Sequence, residues 1–282
     1  MALTINTNIA SLNAQRNLAS NQGTLETSLR RLSSGLRVTS AKDDAAGLFS
    51  IQKMTADIRG LNQAVRNAQD GISLAQTGEG AMDQVQSAMQ RIREIAVQSS
   101  NATVEDRTGL QAEVDQLTQE ISRIVDTTEF NGQKLLDGTL VTALTFQIGQ
   151  DGTADHQISV TGLDLTALTS YDTDLTATGT IDVSSAATAS AAIAGLDSAT
   201  TGLDFVSSQR ATFGAVQNRF ESVVVNLTNY SENLSAARSR IQDTDFAMET
   251  ANLTRAQILQ QAGTAMLAQA NTLPQTALSL LQ

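Results

Sequence analysis

The chain has 282 residues and a formal net charge of -11, with 3% aromatic residues, one histidine and no cysteine or tryptophan. These totals exclude disulfides and thiolate chemistry, and a single histidine argues against a catalytic triad or a histidine-built metal site. The acidic balance argues against nucleic-acid binding, because that depends on basic surface to neutralise phosphates. We therefore expect no cofactor, no metal and no nucleic acid.

The N-terminal region, residues 1–36, predicts a helix with an apolar seam. Its apolar residues lie three and four positions apart, which is the spacing of a coiled coil. No charge precedes Arg16. The segment "MALTINTNIASLNAQ" lacks the basic part and the apolar core of a secretory signal, so secretion would use a route that cleaves no such peptide. The seam residues are Ile5, Ile9, Leu12, Leu25, Leu29, Leu32 and Leu36.

A long second helix is predicted by the clearest repeat in the sequence. One apolar stripe recurs every seven residues, whereas a second stripe fails at Glu79 and resumes one position early. We therefore predict a slip of the heptad register at Gly78–Gly80. The first stripe is Met54, Leu61, Ala68, Ala75, Met82, Met89 and Ala96, and the second is Ile51, Ile58, Val65 and Ile72, followed by Val85 and Ile92.

A shorter helix and a β-hairpin are predicted next. Apolar residues from Leu110 to Ile124 build an amphipathic helix. The run "EFNGQKLLDGTL" contains an Asn-Gly and an Asp-Gly turn signal. After it, apolar and polar residues alternate around a glycine turn, which predicts that Leu144–Ile148 pairs with Gln157–Val160.

The negative charge is concentrated in the middle of the chain. Between Lys134 and Arg210 there is no lysine or arginine, and nine of the eleven net negative charges lie there. We expect this acidic, Ser/Thr-rich region to face solvent. Asp172 and Asp174 suggest a calcium loop or a carboxylate pair for glycoside chemistry, but the central glycine and terminal glutamate of such a loop are missing. A solvated loop is the preferred interpretation.

Helical spacing returns near Ala186 and continues to the C-terminus, where residues 256–282 carry no charge. The apolar residues there cannot share one stripe, so a helix at this end must be buried on several sides. Six glutamines and the lack of flanking cations argue against insertion into a bilayer. We predict that both ends of the chain are disordered in the free subunit and become helical against neighbouring copies. The apolar residues are Ile258, Leu259, Ala262, Met266, Leu267, Ala270 and Leu273.

The two ends of the chain carry a series of extended motifs. Near the N-terminus these include "MALTINTNIASLNAQRNL", "LSSGLRVTSAKDDAAGL" and "FNGQKLLDG", and near the C-terminus "GAVQNRFESVVVNL" and "PQTALSLLQ". In this order, over roughly residues 1–138 and 186–282, they closely resemble bacterial flagellin, the subunit of the flagellar filament.

The resemblance implies a mainly α fold, in which long coiled-coil-like helices from both chain ends pack side by side and a small β-hairpin and loop segment lies outside. An inner helical domain would consist of residues 1–40 and 243–282. An outer helical domain would consist of residues 41–136 and 186–242, with the hairpin and the exposed acidic segment at residues 137–185.

The resemblance also implies a structural protein that self-assembles into the filament used for motility, and not an enzyme. The implied partners are further copies of the chain, the filament cap and hook-junction proteins, and an export chaperone. The implied location is the extracellular flagellum, reached by type III export without a cleaved signal peptide, and no membrane insertion is expected. Assembly is expected to use Ile5, Ile9, Leu12, Ile258, Leu259, Ala262, Met266, Leu267 and Leu273.

The stretch "QRIREIAV" resembles the flagellin segment that Toll-like receptor 5 of animal hosts recognises. Gln90, Arg91 and Glu94 match the family pattern, and Glu113 matches an acidic position of the adjoining helix. Ile95 stands where the recognised form has leucine. The alternative is an ordinary surface ion pair between Arg91 and Glu94, three positions apart.

Two other classes remain open at this point. A hook–filament junction protein shares terminal helices of this kind, although the extended motifs favour the filament subunit. A membrane-active secreted helical protein would place its uncharged end in lipid.

Overall fold

The computed structural model describes residues 8–140, 143–173, 175 and 181–279, with side chains described as far as residue 272. Most of this part of the chain is helical, and short strands form two antiparallel hairpins, which confirms the predicted fold class. Ile5, Asp174 and the side chain of Leu273 lie outside the described residues. The helices are α1 (Ile9–Ser34), α2 (Ala45–Ser99), α3 (Thr108–Thr127), α4 (Ala186–Leu196), α5 (Leu203–Gln242) and α6 (Phe246–Ser279). The strands are β1 (Glu129–Phe130), β2 (Gln133–Lys134), β3 (Leu144–Gln147) and β4 (Gln157–Val160), and a short 3₁₀ helix spans Ala154–His156.

The chain divides into two compact units. Unit 1 contains both chain ends, Met1–Ile58 and Glu232–Gln282, and unit 2 is the continuous middle, Arg59–Ser231. Helices α2 and α5 contribute residues to both units.

Within unit 1, the end of α1 is tied to the chain that leads into α6. Gly35 ends α1 in the left-handed conformation, with φ 72°, and its N–H donates to the Arg31 carbonyl at 2.8 Å. The Thr244 amide donates to the Gly35 carbonyl at 2.9 Å, and the Arg37 amide donates to the Gln242 carbonyl at 2.6 Å. These backbone bonds bring the start of α6 to the end of α1.

Asp43 organises the turn between α1 and α2. Its carboxylate accepts hydrogen bonds from the hydroxyls of Ser40 at 2.9 Å and Thr39 at 3.0 Å. These bonds, the one from Ser40 foremost, lower the pKa of Asp43 to about 2. Asp44 then accepts a bond from the Gly47 amide at 2.8 Å, as an N-cap residue does, and α2 follows.

Unit 2 has a continuous apolar core along α2. Two buried stripes keep seven-residue spacing without interruption, so the predicted register slip at Gly78–Gly80 is wrong. Glycines occupy two positions of the second stripe, and because glycine has no apolar side chain the sequence pattern indicates the half-buried Val65 and Ile72 instead. The first stripe is Leu61, Ala68, Ala75, Met82, Met89 and Ala96, and the second is Ala64, Gly71, Gly78, Val85, Ile92 and Ser99.

The glycines of α2 make room for two phenylalanines of α5. A Cβ atom at Gly71 would lie 2.6 Å from Cζ of Phe220, and one at Gly78 would lie 3.0 Å from Cε1 of Phe213. Phe220 also meets Phe146 of β3 edge to face, with ring centroids 5.5 Å apart and an interplanar angle of 84°. The close approach of α2 and α5 therefore depends on the missing side chains.

The hairpins follow the sequence pattern. As predicted, β3 and β4 form an antiparallel hairpin, although β3 ends at Gln147 and not at Ile148. Leu144 lies opposite Val160 and Gln147 opposite Gln157. Strands β1 and β2 are joined by Asn131 and Gly132, whose φ angles are 51° and 77°. Two positive φ angles are the signature of a type I′ turn, which suits the twist of a two-residue hairpin.

The acidic middle is less exposed than predicted. Leu165, Leu168 and Tyr171 are buried, and Asp172 is only 5% exposed. The Asp172 amide donates to Ser122 Oγ at 2.6 Å. The expectation of a wholly solvated segment is therefore corrected for these residues, because the apolar side chains between the aspartates gain more by packing into unit 2 than by remaining in water.

Candidate assembly surface and charged surface cluster

Helices α1 and α6 run antiparallel as a pair within unit 1. Near one end, Asn8 Nδ2 donates to the Ala270 carbonyl at 2.7 Å, and Ser11 Oγ donates to Asn271 Oδ1 at 2.9 Å. Near the other end, Arg31 lies 3.6 Å from the buried carboxylate of Glu249. These polar contacts fix the antiparallel alignment of the pair at both ends.

Few apolar side chains are fully buried between these two helices. Of the described hydrophobic side chains of α1 and α6, only Ala256 and Ala270 are buried. A Cβ at Gly263 would come within 3.3 Å of Leu18, so small residues set the close approach. Alanine and glycine contribute little apolar area, and the leucines that face the partner helix are only half-buried, so the pair by itself completes its core only in part. These leucines are Leu18, Leu25, Leu32, Leu253 and Leu267.

The predicted assembly residues lie mostly on the uncovered sides of the pair. Ile9 is 63% exposed, Ile258 60% and Met266 64%, and Leu12, Leu259 and Ala262 are also exposed. Leu267 is half-buried, while Ile5 and the side chain of Leu273 are not among the described residues. At about 100° per residue, Ile258 and Met266 differ by roughly 80° around α6, so more than one side of the helix is apolar and uncovered.

The Arg91 cluster lies on the surface of unit 2 and joins α2 to α3. Arg91 Nε donates to Glu113 Oε1 at 2.9 Å, and Nη1 donates to Glu94 Oε2 at 3.1 Å. Hydrogen bonds to Glu113 and then Glu94 raise the pKa of Arg91 above its usual value. Gln90 is exposed beside them. The cluster is an exposed, preformed patch of charge, and each such pair contributes little to stability.

Ile95 is fully buried, unlike the other four residues of the predicted receptor segment. It belongs to the wide apolar face that α2 presents near its C-terminal end, together with Ile92 and Ala96. Its side chain therefore has no surface to offer a partner, and its place is in the core of unit 2.

Sequence reasoning missed one ionic connection between α5 and α2. Arg210 Nη2 donates to Glu79 Oε1 at 2.7 Å, and its Nη1 lies 2.9 Å from Asp83 Oδ1 and 2.5 Å from Gln86 Oε1. The signal was available, because residues four and seven positions apart share one face of a helix. What the sequence lacked was the partner helix that brings Arg210 to that face.

The described residues offer no sign of a metal site or a membrane span. Among them, no group of three or more histidine, aspartate or glutamate side chains is arranged to hold a metal ion. No described helix combines the length and the apolar character that crossing a membrane requires.

Comparison with known proteins gives the family. Residues 5–140 match the bacterial flagellin N-terminal helical region, and residues 193–281 match the bacterial flagellin C-terminal helical region. The chain is 48% identical over 280 residues to a flagellin of Halalkalibacterium halodurans strain C-125, with 99% of each chain covered. It is 44% identical to a flagellin of Bacillus subtilis strain 168, again with 99% of each covered.

Among solved structures, the crystal structure of Bacillus cereus flagellin aligns with a TM-score of 0.49 and 29% identity, covering 61% of this chain and 94% of that one. The two terminal matches and the full-length relatives confirm the resemblance of the motifs and the expectation of a structural protein rather than an enzyme. The chain therefore belongs to the bacterial flagellin family and is an exported structural subunit that polymerises into the flagellar filament.

Proposed function

We propose that the uncovered apolar sides of α1 and α6 are the surface through which copies of this chain join in the filament. The observation that carries the proposal is the exposure of Ile9, Leu12, Ile258, Leu259 and Met266 on a helix pair whose fully buried hydrophobic residues, among those described, are two alanines. Burying one large aliphatic side chain contributes about 1.5–3 kcal/mol. Several copies packing around each pair would cover all of its sides. In this arrangement residues 1–40 and 243–282 form the inner domain, and residues 41–136 and 186–242 the outer one.

Assembly is then the step that stabilises the terminal pair. In the single chain α1 and α6 are already helical, whereas the sequence predicted disorder before assembly. The two are reconciled if the pair opens readily, since elements with few buried apolar contacts lie at the low end of local stability.

Hydrogen exchange of free subunit and filament tests this step. We expect amides of residues 9–34 and 246–272 to exchange fast in the subunit and slowly in the filament, while α2 residues 61–96 are protected in both. Strong protection of residues 256–272 from hydrogen exchange in the free subunit would contradict the proposal that assembly stabilises the terminal pair. Equal exchange of those residues in the two states would do the same.

The remaining partners follow from the same surface. An export chaperone would cover the apolar terminal region before assembly, and the filament cap and hook-junction proteins would meet it at the two ends of the filament. Export by the type III route, without a cleaved signal peptide, belongs to the same proposal. The exposed apolar residues of α6 support it, because such a surface needs a cover until copies meet.

A second role is supported by the Arg91 cluster: recognition by host Toll-like receptor 5. The proposed contact residues are Gln90, Arg91, Glu94 and Glu113, all on the accessible surface of α2 and α3. Because Glu94 and Glu113 hold Arg91 in place, a partner would meet a preorganised charge pattern. Ile95 would contribute only indirectly, because its packing in the core of unit 2 holds α2 in position.

A reporter-cell assay with free subunits tests this role. Arg91→Ala is expected to reduce signalling. Arg123→Ala is the matched control, because Arg123 forms a comparable exposed pair with Glu120 on α3, at 2.6 Å. Equal signalling by wild type and Arg91→Ala would defeat the proposal, and so would an equal loss in the control.

A further inference from the structure

A groove between α1 and α6, in unit 1, has an unbalanced charge. Its volume is about 570 Å³, and its lining includes Arg31, Lys42, Arg255 and the buried Glu249. Three cations thus face one carboxylate. The rest of the lining is mainly hydroxyl and amide side chains, among them Thr24, Thr27 and Asn252.

The donors of this groove are poorly matched within the chain. Arg31 is 3.6 Å from Glu249, too far for a good hydrogen bond, and its Nε is enclosed without a hydrogen-bond partner among the described residues. Arg255 contacts Asn252 of its own helix at 3.2 Å, and no ion pair of Lys42 lies within the described part of the chain. An enclosed cationic donor without an acceptor costs free energy, so the groove is suited to a further oxyanion.

A candidate acid for this groove lies on the same helix pair but on another face. Helices α1 and α6 contain two acidic residues, Glu249, which is already in the groove, and Glu26, which is exposed. No described residue forms an ion pair with Glu26. At about 100° per residue, Glu26 points roughly 140° away from the mean direction of the α1 residues that line the groove, so its side chain faces away from the groove of its own chain.

A groove on one face and its acid on another face form a head-to-tail contact. Contacts of this kind link copies into open helical assemblies, whereas a self-complementary patch closes a dimer. We propose that Glu26 of one copy enters the groove of the next copy in the filament and pairs there with Arg255, Lys42 and Arg31. The contact rests on the proposed assembly surface and adds an ionic register to it, since apolar packing alone sets direction and spacing weakly.

Charge exchange in the full-length chain tests the contact. The critical concentration for growth on filament fragments is measured by sedimentation for Arg255→Glu, Glu26→Arg and the double variant. Each single variant places like charges together and is expected to raise the critical concentration roughly tenfold or more. The double variant restores the opposite pair, so its critical concentration returns close to that of wild type.

The controls separate this contact from general charge effects and from misfolding. Arg16→Glu combined with Glu26→Arg has the same net charge as the first double variant, but Arg16 is not in the groove, so no rescue is expected. Lys42→Glu, outside both helices, is expected to show the same defect and the same rescue by Glu26→Arg. The single defects should shrink at about 1 M salt, where the Debye length is about 3 Å.

Failure of the Glu26 contact and failure of the proposed assembly surface give different results in these measurements. The inference is overturned if neither Arg255→Glu nor Lys42→Glu is rescued by Glu26→Arg, or if the Arg16 control is rescued equally. Failure of the proposed assembly surface has a different signature, because Ile258→Ala would then leave the critical concentration unchanged whatever the charge variants do.

Discussion

Units 1 and 2 of this chain differ in net charge and in how far each buries its own apolar residues. Unit 1 has nine lysines and arginines against eight aspartates and glutamates, a net charge of +1. Unit 2 has nine against 21, a net charge of -12, so the acidic character of the protein belongs entirely to it. Like charge on closely packed copies is repulsive, whereas on a solvent-facing part it favours solubility.

The two units also differ in how many of their hydrophobic residues are buried. Of the buried hydrophobic residues in the described chain, 28 lie in unit 2 and five in unit 1, while nine of the 13 exposed large hydrophobic residues lie in unit 1. Unit 2 completes its own core. Under the proposed assembly, other copies complete the core of unit 1, whereas unit 2 needs no such contribution.

The largest effect is expected from a substitution that creates a cavity in the core of unit 2, because this unit is stable without neighbouring copies. Ile92 is fully buried in the second α2 stripe. We expect Ile92→Ala to lower the free energy of unfolding of the free subunit by about 2–5 kcal/mol. Denaturant unfolding followed by circular dichroism measures it. A loss below about 1 kcal/mol would mean that unit 2 also depends on neighbours.

The reverse result is expected in unit 1. Ile258→Ala removes three carbon atoms from an exposed side chain, so the free subunit should unfold as wild type does. In the filament, the lost burial should weaken addition of each subunit by about 2 kcal/mol, at about 0.8 kcal/mol per buried CH₂ group. Sedimentation at equilibrium checks this. An unchanged critical concentration contradicts the division between the units.

The glycine seam of unit 2 allows a matched pair of alanine substitutions. Gly71→Ala is expected to destabilise by about 1–3 kcal/mol, because its Cβ collides with the fully buried Phe220. Gly80→Ala, with nothing within 4 Å, should stabilise by up to about 1 kcal/mol through helix propensity. Thermal unfolding of both variants decides. The explanation fails if the two shifts have the same sign.

The smallest expected effect is the acid response of the turn in unit 1. The pKa of Asp43 is lowered from 3.8 to about 2 in the folded turn. A lowered folded pKa stabilises the turn above pH 3.8, and that contribution is lost as the pH falls through about 2. NMR shifts of Thr39 and Ser40 should follow this titration in wild type. In Asp43→Asn the same step should be absent, and its persistence would assign it to another group.

Sequence patterns predicted the elements well where the signal is local. The first heptad stripe of α2, the amphipathic α3 and the β3–β4 hairpin appear as predicted, because period and turn chemistry act over a few neighbouring residues. Sequence patterns failed where the burial of a residue depends on a partner that is distant in sequence. Gly71 and Gly78 broke an apparent stripe, although Phe220 and Phe213 fill the space they leave.

For the candidate sites, the sequence predicted which residues lie close together better than it predicted which side chains are exposed to solvent. The Arg91, Glu94 and Glu113 positions do form one surface cluster, but Ile95 lies beneath it in the core. One residue along a helix turns a side chain by about 100°, so the boundary between core and surface depends on which helices cover that face.

By itself, the sequence determined that long helices lie near both ends, that residues 256–282 carry no charge and that the chain is a flagellin, because periodicity, composition and motif order are properties of the chain. Only the tertiary structure decided which apolar residues stay uncovered, that Arg210 ties α5 to α2, and that Glu26 and the groove of Arg31 and Arg255 occupy different faces of one helix pair. These depend on contacts between residues far apart in sequence, and such contacts are fixed by packing rather than by any local pattern.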